Sequence, residues 1–282
     1  MNKLSREARA QILGMMVEGV SIRAISRLTG ASKNTIAKLL EDAGQAFSDY
    51  QDRTLRALTC KRVQVDEIWC FVYAKQKNVA TAKAAPEGAG DIWTWTAIDA
   101  DTKLIPSWYV GARDAYAAQA FIGDLASRVS NRMQLTSDGH KPYLEAVEQS
   151  LGAGVDYAML VKVYGEPVGA VGRYSPGECV STEQRRVEGR PDPAHVSTSY
   201  AERQNLSMRM GTRRFTRLTN AFSKKAVNHA HSVAIYFMHY NFVRLHTTIH
   251  CSPAMAAGVS QTLWELADMV KVLEAWEASQ DA

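Results

Sequence analysis

Between residues 4 and 19 the apolar residues Ile12, Leu13, Met16 and Val17 recur at helical spacing and Gly19 then closes the pattern, which predicts an amphipathic helix. From Ser21 to Leu40 two short helical patterns are split by Gly30, with Ser32 placed as an N-cap for the second. Ile36 and Leu39 or Leu40 are expected to face back on Ile25 and Leu28, so residues 1–45 read as a helix-turn-helix domain. Residues 46–62, polar and carrying Asp49, Asp52, Arg53 and Arg56, read as a linker or connecting helix.

At residue 63 the period changes. Runs rich in β-branched and aromatic residues occupy 63–73, 92–99 and 104–110, and the turn-like stretch Asp99-Ala100-Asp101-Thr102-Lys103 predicts that the second and third form a hairpin. A helix is expected over 114–129, a strand over 133–137, a helix near 140–150 and a strand over 157–163. This order is similar to that of a ribonuclease H-like α/β core. Residues 164–198 are rich in Gly, Pro and charge and read as an insertion or long loop, followed by helices over 199–211 and 223–245. The expected fold class is therefore α/β: the helix-turn-helix, a catalytic core over 63–258 with C-terminal helices, and an acidic helix or tail over 259–282.

With 282 residues, 46% of them hydrophobic and 22% charged, the chain is expected to be globular, with roughly two domains. No apolar run approaches the ~18 residues of a membrane span, and Cys60, Cys70, Cys179 and Cys251 form no Cys-x-x-Cys pair, so a soluble cytoplasmic protein without a disulfide framework is expected. The net charge of +4 is unevenly spread. Residues 203–264 contain no acid but eight Lys or Arg and five of the seven histidines, which points to a polyanion as partner. The histidines do not meet zinc-ligand spacings.

Three acids stand out. Asp66 lies within the apolar strand run Val63–Val72, Asp138 ends Met133-Gln134-Leu135-Thr136-Ser137, and Glu202 sits in Ser199-Tyr200-Ala201-Glu202-Arg203-Gln204-Asn205 at a helix start. Two strand-borne acids and a helix-borne acid can converge, and hard divalent cations such as Mg²⁺ prefer oxygen ligands, so the three form a candidate site for metal-assisted phosphoryl transfer. Glu67 is expected on the opposite face of its strand, because side chains alternate. Simpler readings stay open: Ser199 and Glu202 fit a capping box, and Asp138-Gly139 is a common turn. On the helix of Glu202, Asn205 or Leu206, Arg209 and Arg213 share a face suited to a phosphate backbone; in the helix-turn-helix, Lys33, Asn34 and Lys38 are placed to reach bases or phosphates.

The blocks Val65-Asp66-Glu67-Ile68-Trp69, Thr136-Ser137-Asp138-Gly139-His140-Lys141-Pro142-Tyr143, Tyr200-Ala201-Glu202-Arg203-Gln204-Asn205-Leu206-Ser207-Met208-Arg209 and Arg214-Phe215-Thr216-Arg217-Leu218-Thr219-Asn220-Ala221-Phe222-Ser223-Lys224-Lys225 resemble those of insertion sequence 1 family transposases. The resemblance covers roughly residues 60–258. It implies a DDE transposase in which Asp66, Asp138 and Glu202 hold two Mg²⁺ ions, with Mn²⁺ able to substitute, and cleave element ends to free a 3′-hydroxyl that attacks target DNA. It further implies that the helix-turn-helix, through Arg27, Ser32, Lys33, Asn34 and Lys38, binds terminal inverted repeats. Arg203, Asn205, Arg209, Arg213, Arg214, Lys224 and Lys225 are then expected on double-stranded DNA. A homo-oligomer on DNA, at the nucleoid of a prokaryote, is the corresponding expectation. The chain departs from that family's better-known members in lacking an N-terminal cysteine-ligated zinc module and in carrying the 164–198 insertion. Two other readings remain: a non-catalytic helix-turn-helix regulator, and a structure-selective nuclease built on the same core.

Overall fold

Three serines open the first three helices. The Oγ atoms of Ser5, Ser21 and Ser32 accept the N–H groups of Ala8, Ala24 and Thr35, starting α1 (Arg6–Val17), α2 (Ile22–Thr29) and α3 (Lys33–Thr54). Each such cap stabilises a helix by about 1 kcal/mol. Gly30 stops α2 at φ 75°, a left-handed conformation that favours glycine. The computed structural model describes residues 4–165, 179–216 and 220–280. Residues 166–178 of the expected insertion, and Arg217, Leu218 and Thr219 of the basic block, lie outside the described residues.

Ile12, Leu13, Ile25 and Ile36 are fully buried and hold these helices together. Leu28 does not join them as expected; in the last turn of the short α2 it is 67% exposed. One helix, α3, runs through the boundary expected at 45/46, because Ala43, Gly44, Ala46, Phe47 and Gln51 continue its buried face. Gly44 marks its close crossing with the helix Ala226–Met238: a Cβ added there would stand 2.2 Å from the Cβ of His231.

The remaining elements are β1 (Arg62–Val72), α4 (Gln76–Val79), β2 (Gly90–Asp99), β3 (Trp108–Gly111), α5 (Ala115–Arg128), β4 (Met133–Ser137), α6 (Pro142–Leu151), β5 (Val155–Tyr164), β6 (Cys179–Glu188), α7 (Ser199–Gly211), α8 (Ala226–Met238), α9 (Pro253–Ala256) and α10 (Leu266–Gln280). A π-helical turn, His239–Val243, extends α8. The strands form a mixed sheet in the order β3-β2-β1-β4-β5-β6. The pairs β1–β2, β2–β3 and β5–β6 are antiparallel, and β4 runs parallel to both β1 and β5.

Alternation along β1 builds two cores. Val63 and Val65 face a cluster with Phe121, Leu125 and Tyr143, whereas Ile68, Cys70 and Val72 face another with Ala201, Met208, Val233 and Phe237. Burying each of these large side chains contributes about 1.5–3 kcal/mol. The first cluster also takes in α1, α3 and α10, so the N- and C-terminal helices share one core with the sheet.

Two expectations are corrected here. The strand expected over 104–110 is shorter, since Pro106 has no N–H and Ile105 is bonded to the buried Asn241 instead of a ladder partner. Within 164–198, the stretch read as loop contains β6, an edge strand exposed along its whole length; lacking a buried face, it has no apolar alternation to read. Of the acidic helix or tail expected over 259–282, Leu266–Gln280 forms the packed helix α10, with Met269, Val270 and Leu273 fully buried and ion pairs from Arg6 to Glu274 and Arg9 to Glu277. Among the described residues, no helix is long and apolar enough to cross a membrane.

Candidate metal and phosphoryl-transfer site

Asp66 occupies the middle of β1, opposite Thr96 of β2. Its Oδ1 accepts the N–H of Glu67 at 2.8 Å and its Oδ2 accepts Nδ2 of Asn205, on α7, at 2.8 Å. Asp138 directly follows β4, and its Oδ1 accepts the N–H of His140 at 2.9 Å, closing the turn into α6. The last β1–β4 pair is Gln64 with Thr136, so both acids lie just past the point where the two strands part.

The third acid in this cluster is Glu67, not Glu202. One oxygen each of Asp66, Glu67 and Asp138 lies within 4.8 Å of the other two. Glu67 does leave β1 on the face opposite Asp66, where Tyr143 donates to its Oε2 at 3.0 Å. The cluster forms because Asp138 lies beyond the end of β4, where acids from both faces of β1 can meet it. Arg113, after β3, donates to Oε1 of Glu67 at 2.6 Å and stands 3.9 Å from Asp138. Sequence reasoning missed Arg113, whose only signal was a cation directly after a hairpin strand, and it set Glu67 aside on strand alternation.

The electrostatics of the cluster follow from burial. Loss of solvent, then the charge of Glu67, push the carboxyl of Asp66 up to about 7; Asp138 and Glu202 add smaller pushes and the bond from the Glu67 N–H opposes them. Burial, joined by the charge of Asp138, likewise raises Glu67 even though Arg113 and Tyr143 lower it. Burial lowers His140, with the charge of Arg113 acting in the same direction. Three acids against one arginine leave excess negative charge, which a divalent cation would neutralise. Two oxygens on one Mg²⁺ stand roughly 3–4 Å apart, given Mg–O near 2.1 Å, so the donor set suits such an ion and its oxygens, within 4.8 Å of one another, would need only to draw slightly together to share it.

Glu202 lies in the first turn of α7, exposed, with Oε1 2.6 Å from Nζ of Lys162 and accepting from Thr198 Oγ1 at 2.5 Å. Thr198, rather than Ser199, holds the N-cap position. The helix is seated by β1: Gln64 Oε1 accepts the N–H groups of Tyr200 at 2.8 Å and Ala201 at 3.3 Å.

The residues expected on DNA divide. Arg27, Ser32, Lys33, Asn34 and Lys38 are exposed around the start of α3, with Lys38 paired to Asp42 at 2.7 Å. Arg203, Arg213, Lys224 and Lys225 are exposed, and Arg209 is half-buried. Asn205 is buried against Asp66, because its position on α7 turns it toward the strand. Arg214 is half-buried and donates to Oγ of Ser223 at 2.8 Å, with desolvation lowering its guanidinium to about 10. His229, among the clustered histidines, is fully buried beside Ser223 and Phe215, and burial drops it to about 3.

Site and sheet thus describe a mixed α/β protein with an acid cluster able to hold a divalent cation. No protein-family model and no curated protein matches the chain. Among solved structures it is similar to the piggyBac transposase synaptic complex with hairpin DNA, determined by cryo-EM, at 10% identity and a TM-score of 0.39, over 99% of this chain and 72% of that one. A likeness at that level fixes neither fold nor function.

Proposed function

We propose that this chain is a DDE transposase of an insertion sequence similar to the insertion sequence 1 family, which cleaves DNA at the element's ends and joins the freed 3′-hydroxyl to target DNA. The observation that carries this reading is the meeting of Asp66 and Asp138, from adjacent parallel strands, in one carboxylate cluster. The order β3-β2-β1-β4-β5, with its first three strands antiparallel, supports a ribonuclease H-like core. The sequence blocks around Asp66, Asp138 and Glu202 support the family.

In this reading Asp66 and Asp138 are the principal ligands for Mg²⁺, two ions in all, for which Mn²⁺ would substitute. Glu67 has both oxygens engaged by Arg113 and Tyr143, which suits it to shaping the cluster. Glu202 is the third catalytic acid, carried by α7 and released to the site when Lys162 turns to a DNA phosphate. Bound metal supplies charge neutralisation at the phosphodiester and activates the attacking hydroxyl. The protein's part is to hold the strand: Arg203, Arg213, Lys224 and Lys225 meet phosphates, and α2–α3 binds terminal repeats through Arg27, Ser32, Lys33, Asn34 and Lys38. A dimer or larger assembly on DNA follows from the need to process two ends together.

Binding and nicking of DNA flanking the gene, measured side by side, test the assignment. Asp66→Asn, Asp138→Asn and Glu202→Gln are each expected to keep end binding and lose nicking; nicking that survives in one of them removes that acid from the triad.

A further inference from the structure

Glu67, Trp69 and Phe71 share one face of β1, by alternation. Past Gln64 the strand has no β4 partner, and this outer part bears aromatic rings that belong to neither hydrophobic core: Trp69, Phe71 and, from the segment before α8, Phe222, all half-buried. Their centroids are 5.9 Å apart for Trp69 and Phe71 and 4.9 Å for Phe71 and Phe222. The row starts at the acid cluster, since Trp93 pairs across strands with Trp69 and lies 5.0 Å under the guanidinium of Arg113, which itself holds Glu67. Cations also stand over the outer rings, Lys75 at 5.6 Å from Trp69 and Lys224 at 4.4 Å from Phe222. Asp91, the acid opposite Phe71, is engaged by the N–H of Gln76.

Half-sunken rings flanked by lysines match single-stranded nucleic acid, whose unpaired bases stack on aromatic faces while cations take the phosphates. Duplex bases are hidden from such a surface. A lysine over a half-buried ring is weakly held, and it is in place to meet the phosphate of the nucleotide whose base takes the ring. We infer that the face of β1 carrying Trp69 and Phe71, extended by Phe222, is a stacking platform for unpaired bases of a DNA strand running from the acid cluster, held at its phosphates by Lys75 and Lys224. The source of that strand, an opened element end, rests on the transposase reading; the platform itself does not.

The test uses the full chain in EDTA, where metal chemistry plays no part, and two labelled probes of equal length and charge, an oligothymidylate and an abasic strand, followed by fluorescence anisotropy. The thymidylate is expected to bind more tightly than the abasic strand. Trp69→Ala and Phe222→Ala are each expected to weaken thymidylate binding by about fivefold to a hundredfold while leaving the abasic strand unchanged, and Trp69→Phe to keep most of the affinity. Equal binding of both probes by the wild type, a comparison that needs no variant, overturns the platform. So does a wild-type dimer that Trp69→Ala splits without changing thymidylate affinity, since a second copy would then cover the rings. Stacking in EDTA alongside failed cleavage in Mg²⁺ would remove the transposase reading and leave the platform standing.

Discussion

Asn205 donates Nδ2 to Oδ2 of Asp66 at 2.8 Å, so the helix that carries Glu202 is fastened to the strand that carries Asp66. Gln64 makes the second tie, through the N–H groups of Tyr200 and Ala201. The candidate third acid is thereby positioned by the same strand as the first.

Removing the Asn205 tie tests this coupling. Asn205→Ala is expected to cost about 1–3 kcal/mol, the penalty for leaving a buried acceptor unpaired, read as a lower urea midpoint at unchanged slope. In Asp66→Asn the same substitution should cost less, because a neutral amide loses less than a carboxylate. Equal costs in the two backgrounds would show that the residues are not coupled.

Arg113 and Glu67 form a second coupled pair. The Glu67 side chain is fully buried while that of Arg113 is 36% exposed, so Arg113→Ala should destabilise by about 1–3 kcal/mol, below the range for a wholly buried pair. Adding Glu67→Gln should recover part of the loss. Thermal melts of the four proteins in a double-mutant cycle decide it, and additive effects would dismiss the pair as an organiser of the cluster.

The raised carboxyl of Asp66 sets a pH dependence. Its folded value of about 7 exceeds the unfolded value of about 3.9, so the folded state holds the extra proton between them and stability falls as pH rises through that window. The full effect is on the order of 4 kcal/mol. In EDTA the melting temperature should therefore drop from about pH 5 to about pH 8 more steeply in the wild type than in Asp66→Asn. Mg²⁺, which favours the ionised acid, should flatten the wild-type curve. Parallel curves for the two proteins in EDTA would contradict the assignment.

For end recognition, Lys33→Ala and Asn34→Ala should weaken binding to the flanking DNA by about 1–3 kcal/mol each, Asn34 with loss of preference over random duplex and Lys33 with a shallower salt slope. With about six phosphate contacts the wild-type slope of log affinity on log salt is near −5. An unchanged preference in both variants would move end recognition elsewhere.

The strands and helices that carry Asp66, Asp138 and Glu202 were legible in the sequence: β1 is an apolar run buried on both faces, Val63 and Val65 on one and Ile68 and Cys70 on the other, and α7 buries Ala201, Asn205 and Met208 at helical spacing. β6 was not, since an edge strand that buries neither face leaves no alternation. α10 was read by its charge, and its apolar stripe of Met269, Val270 and Leu273 was passed over. Glu67 was set aside on strand alternation, which holds; what alternation does not show is that Asp138, beyond the end of β4, can be met by acids from both faces of β1. Arg113 and Asn205 needed the tertiary fold, because their partners are 46 and 139 residues away.

The most direct test of the central claim is cleavage of DNA flanking the gene by the purified chain, mapped to the nucleotide, with wild type and Asp138→Asn each assayed in Mg²⁺ and in EDTA. The account predicts a nick at a repeat boundary, leaving a 3′-hydroxyl, only for wild type with Mg²⁺. End binding by both proteins with no metal-dependent nick in any reaction would contradict it and leave a DNA-binding regulator.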